Sequence, residues 1–218
     1  LIKKILDEMG LETNSPMVGE VLDITNDVKT YDYDPDKAKK LFADSGWAPP
    51  AGGPDDKGIL SKTEKAKTKK DKPVEQKLTL RLTVPAWSEL TNAANILREQ
   101  WSKIGVELIV EVLPAPDLQQ TIKERNYQLL LFGEILNLDP DPFSLWHSSQ
   151  KRDPGLNLAL YDNKSADDLL EKARQALNPL ERIRLYQDFQ KLVVQDAPAV
   201  FLYNPLYIYA QTNNIKGF

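Results

Sequence analysis

The sequence predicts an α/β fold with a mainly parallel central sheet flanked by helices, and three successive patterns carry that prediction. Leu78, Leu80, Leu82 and Val84 alternate with Thr79, Arg81 and Thr83, the period of two expected of a strand with one covered face. The period then changes. Leu90, Ala94, Leu97, Trp101 and Ile104 recur at four-three-four-three spacing, which makes a helix of about four turns that Gly105 ends. Val106, Leu108, Val110 and Val112 alternate again, until Pro114-Ala115-Pro116 breaks the strand. Strand, helix and strand on short connections form a right-handed crossover unit, hence parallel strands.

The remaining elements follow in chain order. Ile2, Ile5, Leu6 and Met9 have helical spacing and Gly10 suits a helix stop, so the chain is expected to begin inside a helix. With no initiator Met, it reads as a fragment whose upstream part, including any export signal, is missing. Asp34 and Pro35 open a second helix whose stripe is Ala38, Leu41 and Phe42, and Gly46 closes it. Residues 48–77 read as a charged, Lys-rich insertion. Within it, residues 55–77 hold eight Lys and five acids and no aromatic, which fits a solvated loop or extended hairpin. Asp117 with Gln120 forms a capping pair for a short helix to about Asn126. Tyr127–Phe132, apolar on both faces, is expected to be a central buried strand. Ser165 with Asp168, and Asn178-Pro179 with Glu181, open two further helices. Two short strands, Ala199–Tyr203 and Leu206–Ala210, are expected around Asn204-Pro205.

Composition removes several classes of function. The 218 residues hold 28 Lys+Arg against 32 Asp+Glu, a net charge of −4, which excludes a strongly basic nucleic-acid binder. With no Cys, zinc ribbons, iron–sulfur ligation and thiol nucleophiles are excluded. No run approaches the roughly 20 consecutive apolar residues of a membrane span. Phosphate-loop, dinucleotide, nucleophile-elbow and His-Glu-x-x-His patterns are absent, so neither cofactor nor metal is expected. His147 is the only histidine and reads as a hydrogen-bonding imidazole at a surface or cleft. Asn137–Pro142 opens like a calcium loop but has Pro142 where the sharp turn needs Gly. Asp139 and Asp141 have the look of paired hydrolytic carboxylates, but between rigid prolines they suit turn-setting and capping better.

The pattern does offer a place for a ligand. In open parallel sheets the crevice lies beyond the carboxyl ends of the strands. The loops there are Pro85–Ser88, Leu113–Pro116 and Gly133–Asp139. They bring Trp87, Gly133, Glu134, Leu136, Asn137 and Asp139 together, with Trp146, His147, Asn157 and Tyr161 soon after. Such a wall of rings, amides and carboxylates suits a polar organic ligand, one bearing an amine included. Trp146 and Tyr161 fit the core equally well.

Several segments in order resemble the extracellular solute-binding proteins of the peptide/nickel class of ABC importers. They are Tyr33–Trp47, Leu97–Val106, Tyr127–Gly133, Asp139–Phe143 with Ser148, Gly155-Leu156-Asn157, Arg182, Tyr186, Gln195–Pro198 and Lys216-Gly217-Phe218. The resemblance implies the carboxy-terminal lobe, residues 1–218, of a two-lobed receptor, a periplasmic-binding-protein-like half of the type II, Venus-flytrap kind. Its implied partners are a small-molecule or peptide solute, a membrane permease and an amino-terminal lobe of the same protein. Its implied place is extracytoplasmic, in the periplasm or tethered at the outer face of the cytoplasmic membrane, and no catalytic step is implied. Peptide-binding relatives hold the ligand amine with an Asp where this chain has Leu136, so the amine partner is Glu134, Asp139 or neither. A reading from a different class is a surface interaction or adhesion module presenting the Lys-rich loop.

Overall fold

The structure, a computed structural model, describes residues 1–17, 27–49, 58–64, 74–136 and 141–212. Helix α1 (Ile2–Ile5) is a single turn, and Gly10 is not its stop. Asp7 and Glu8 take left-handed backbone at φ 46° and 68°, and Gly10 already belongs to strand β1 (Gly10–Glu12). Helix α2 (Pro35–Asp44) forms as expected: the Asp34 carboxylate accepts from Lys37 N at 2.9 Å, and Gly46 turns the chain at φ 85°. Of its expected stripe, Ala38 and Phe42 are half-buried and Leu41 is exposed. Phe42 and Trp47 pack on Leu60, Leu78 and Val106. Within the Lys-rich stretch, strands β2 (Ser61–Glu64) and β3 (Val74–Lys77) pair antiparallel from Ser61↔Lys77 to Glu64↔Val74. Residues 50–57 and 65–73 of that stretch lie outside the described residues.

Strand β4 (Thr79–Pro85) is the centre of a three-stranded parallel sheet. Helix α3 (Ser88–Ser102) carries the chain over to β5 (Glu107–Leu113), which pairs from Thr79↔Glu107 to Pro85↔Leu113. Gly105 makes the return possible. It sits at φ 81°, and a Cβ there would lie 2.7 Å from Leu60 Cγ and 3.0 Å from Gly58 O, so no other residue fits without displacement. Helix α4 (Ala115–Glu124) then leads to β6 (Leu129–Leu130), on the other side of β4 at Leu82↔Leu129 and Thr83↔Leu130. Asp117 lies inside the first turn of α4 and caps nothing, because Pro114 is the N-cap residue.

The expected central strand is therefore corrected. The first crossover leads from β4 to β5 and the second from β5 back past β4 to β6, so β4 is central and β6 is a flank. Thr83 and Val84 of β4 are fully buried, whereas Leu129 and Leu130 are only half-buried. Leu82, Val84 and Leu108 pack with Ala94 of α3 in the sheet's own core.

The second half is helical. Helix α5 (Phe143–Trp146) and a 3-10 turn (Ser148–Gln150) precede α6 (Lys164–Gln175) and α7 (Pro179–Asp196). Asn178 caps α7 as expected, but Asn163, not the Ser165–Asp168 pair, caps α6, accepting from Ser165 N and Ala166 N. Tyr186, Phe189 and Val193 of α7 pack with Ala166, Leu170 and Ala173 of α6. Burying a side chain such as Phe189 stabilises by roughly 1.5–3 kcal/mol. Strand β7 (Tyr203–Pro205) contains the Asn204-Pro205 that was expected to separate two strands, and it pairs antiparallel with β1. Arg125 ties the halves together through Lys151 O and Gly155 O, and Tyr127 OH donates to Leu158 O at 2.7 Å.

Candidate functional site

Parallel strands gather their carboxyl ends on one side of the sheet. Ala86 N donates to Leu113 O and Leu131 N to Thr83 O, so the loops after β4, β5 and β6 share that side. Trp87, the N-cap residue of α3, is 57% exposed there and stacks on Phe132, itself 40% exposed, with ring centres 6.2 Å apart and 30° between planes. Gly133 follows with nothing within 4 Å of where a Cβ would stand. Ile135 is 95% exposed and Leu136 half-buried. Glu134 has water on its open side, while the protein packed beneath it desolvates the carboxyl and pushes it up to about 7. Glu89, in the first turn of α3, is already held by Tyr203 OH at 2.9 Å.

Of the residues expected at the site, Trp87, Gly133 and Glu134 lie at the carboxyl ends of the strands around the Trp87–Phe132 contact, and Leu136 follows in the same loop. Asn137 and Asp139 lie outside the described residues. The other four are corrected, because all are buried in the helical half. Trp146 packs against Tyr161, Phe189 and Phe201. Asn157 is fully buried and serves the backbone: its Nδ2 donates to the carbonyls of Trp146, His147 and Tyr161, and its Oδ1 accepts from Tyr161 N. Gly155 allows this turn, since a Cβ on it would fall 2.3 Å from Gln150 O. Tyr161 OH donates to Asp196 at 2.7 Å, and burial raises its pKa far above the usual phenol range. His147 is buried rather than cleft-lining. Its Nδ1 accepts from Ser149 N, which leaves the proton on Nε2, facing Glu171 Oε1 at 3.3 Å.

Asp141 sets a turn, as expected: Phe143 N donates to its Oδ1 at 3.2 Å, and Arg174 Nε holds its Oδ2 at 2.8 Å. A carboxylate so engaged is no hydrolytic partner for Asp139. Among the described residues no cluster of His, Asp and Glu could hold a metal ion. A shallow hollow near Ile59, Ser102 and Gly105 lies at the opposite end of the sheet. Phe132 was missed in the sequence because a residue ending an apolar run reads as core. Its place next to Gly133 was the available signal.

An exposed aromatic pair and one partly desolvated carboxylate thus lie at the carboxyl ends of the parallel strands. Residues 1–155 match the family described as Bacterial extracellular solute-binding proteins, family 5 Middle, and the chain belongs to that family, which consists of solute-binding proteins and not enzymes. The oligopeptide-binding protein AppA of Bacillus subtilis is 27% identical over 195 residues, 88% of this chain and 33% of that protein. Its structure in complex with a nonapeptide shares the fold, with a TM-score of 0.79 over 94% of this chain and 38% of that chain at 24% identity. NikZ of Campylobacter jejuni, in complex with Ni(L-His), gives 0.75 at 26% identity over 94% and 38% of the two chains. The ABC transporter substrate binding protein CtaP of Listeria monocytogenes gives 0.70 at 26% identity over 91% and 36%. The chain spans about a third of the length of the curated relatives it matches. No helix among the described residues is long and apolar enough to cross a membrane.

Proposed function

We propose that the chain is the carboxy-terminal lobe of a two-lobed receptor that captures an amine-bearing solute, a peptide above all, and delivers it to an ABC permease. The observation that carries this is the exposed Trp87–Phe132 pair beside Glu134 at the carboxyl ends of β4 and β6. An apolar surface next to one carboxylate suits a ligand with an apolar body and a cationic group. The kinship to a protein named as oligopeptide-binding supports a peptide. A second lobe would supply the opposing wall, and the closed form would be stabilised by contacts the ligand makes only there. The receptor would work outside the cytoplasmic membrane, tethered through a segment preceding this chain. Residues 48–77 are then a charged insertion in the lobe.

Native mass spectrometry of the whole protein purified from its own cells tests this reading. A defined small-molecule adduct is expected, and Trp87→Ala should remove most of it. A wild-type protein that carries no adduct and gains none from peptide mixtures would contradict the proposal.

A further inference from the structure

We propose that Tyr203 is a positioning residue for the solute site: through Glu89 it holds the first turn of α3, and with it the Trp87 ring. The inference rests on the solute site proposed above. Trp87 is a poor start for a helix. It is the N-cap residue of α3 and its side chain makes no capping hydrogen bond, whereas Ser, Thr, Asp or Asn would answer one of the free N–H groups of the first turn. Its own backbone has two bonds, from its N–H to Pro85 O at 2.8 Å and from Thr91 N to its carbonyl at 2.9 Å. Glu89 stands two residues on, the one acid of the first turn, where the free N–H groups favour a negative charge. Tyr203 OH reaches it from β7, 114 positions away, and donates to Oε1 at 2.9 Å.

The anchor belongs to a separate piece of the fold. Tyr203 pairs with Glu12 of β1 at one end of a register that runs to Gly10↔Pro205, and Leu206 N adds a bond to Met9 O at 3.1 Å. Burial, and after it the Glu89 carboxylate, raises the Tyr203 phenol above its usual range, so the hydroxyl keeps the proton it donates. A hydroxyl–carboxylate bond is charge-assisted and roughly twice as strong as a neutral one. It stands in for the missing cap: the ribbon of β1 and β7 clamps the turn from which Trp87 stacks on Phe132. The path from bond to ring is Glu89, Ser88 and Trp87, within one turn of one helix. Without the bond the uncapped turn frays, and the ring leaves its stack on Phe132 for part of the time. A solute must then freeze that turn on binding, and freezing even one residue costs about five- to thirtyfold in affinity.

The test uses the whole protein, labelled with 15N, as wild type, Tyr203→Phe, Glu89→Ala and the double variant. Tyr203→Phe removes one hydroxyl and keeps the ring. Backbone order parameters at Trp87–Leu90 are expected to fall from the rigid range near ~0.85 toward ~0.6 in all three variants. Leu97–Trp101, at the other end of the same helix, should keep theirs, as should α7. Unchanged values at Trp87–Leu90 would overturn the proposal. So would an equal fall along the whole of α3, which marks general loosening. In a second arm trialanine is titrated into each protein, and each single variant should bind it about five- to thirtyfold more weakly. The double variant should match the weaker single one to within about twofold, because both changes remove the same bond. Losses that multiply in the double variant, or equal affinity in all four proteins, would overturn the role in binding. A wild type that binds no peptide at all counts against the solute reading, while the relaxation arm still decides the clamp.

Discussion

Replacing Asn157 by leucine is expected to lower the thermal midpoint of the domain by roughly 10 °C, a larger effect than any surface substitution should have. The side chain is fully buried and answers three carbonyls and one amide, drawn from the end of α5 and from Tyr161. Leucine keeps the branching at Cγ but is larger, and it satisfies none of them. Each buried backbone group left without a partner costs about 1–3 kcal/mol, and relaxation will recover part of it, so a net loss of about 3–5 kcal/mol is expected. For a domain of this size each kcal/mol lowers the midpoint by roughly 2–4 °C. Asn163→Ala provides the comparison, because it removes only an exposed helix cap and one bond to Asp196, for about 1 kcal/mol. Calorimetry on both variants measures the difference. Near-equal midpoints would mean that Asn157 does not organise the core as its hydrogen bonds indicate.

Glu134 should control solute binding rather than stability. Burial beneath the carboxyl pushes it up to about 7, so it holds a proton over a range where an ordinary Glu is ionised. An amine needs the ionised form. Affinity for an amine-bearing peptide should therefore rise as pH passes upward through about 7, with a proton released on binding, and level off above it. Glu134→Gln should lose roughly ten- to a hundredfold in affinity at pH 8 and show no such rise. The effect on folding has the opposite sign. Because the folded-state pKa is raised, the native state retains the proton longer than the unfolded chain, and stability falls as pH climbs from about 4.5 to about 7. Water on the open side of Glu134 keeps that second effect small. Calorimetric titration at pH 6, 7 and 8 in two buffers of different ionisation enthalpy reads both the affinity and the proton.

What the sequence made legible was local. Periodicity placed β4, α3 and β5, and Asp34, Asn178 and Gly46 marked helix ends where they occur, because each signal depends on neighbours within one or two turns. The error over β6 arose one level up. An apolar run states that a strand must be covered, not which strands flank it, and the two crossovers made β4 the centre. The site divided along the same line. The position of Trp87 and Glu134 on one side of the sheet was legible because the loops after parallel strands lie together by topology. Trp146, His147, Asn157 and Tyr161 have the chemistry of a ligand wall, but the same amide and rings can satisfy a backbone turn in a core, and only packing separates the two roles. The Asp141–Arg174 pair joins residues 33 positions apart and had no local signal at all.

The most direct measurement is a crystal structure of the whole protein with the solute it carries. The account predicts that the solute lies against the Trp87 and Phe132 rings with a cationic group about 3 Å from the Glu134 carboxylate, and that it touches none of Trp146, Asn157 and Tyr161. A solute seated at the opposite end of the sheet, near Ser102 and Gly105, or one that leaves Trp87 and Glu134 in contact only with water, would contradict it.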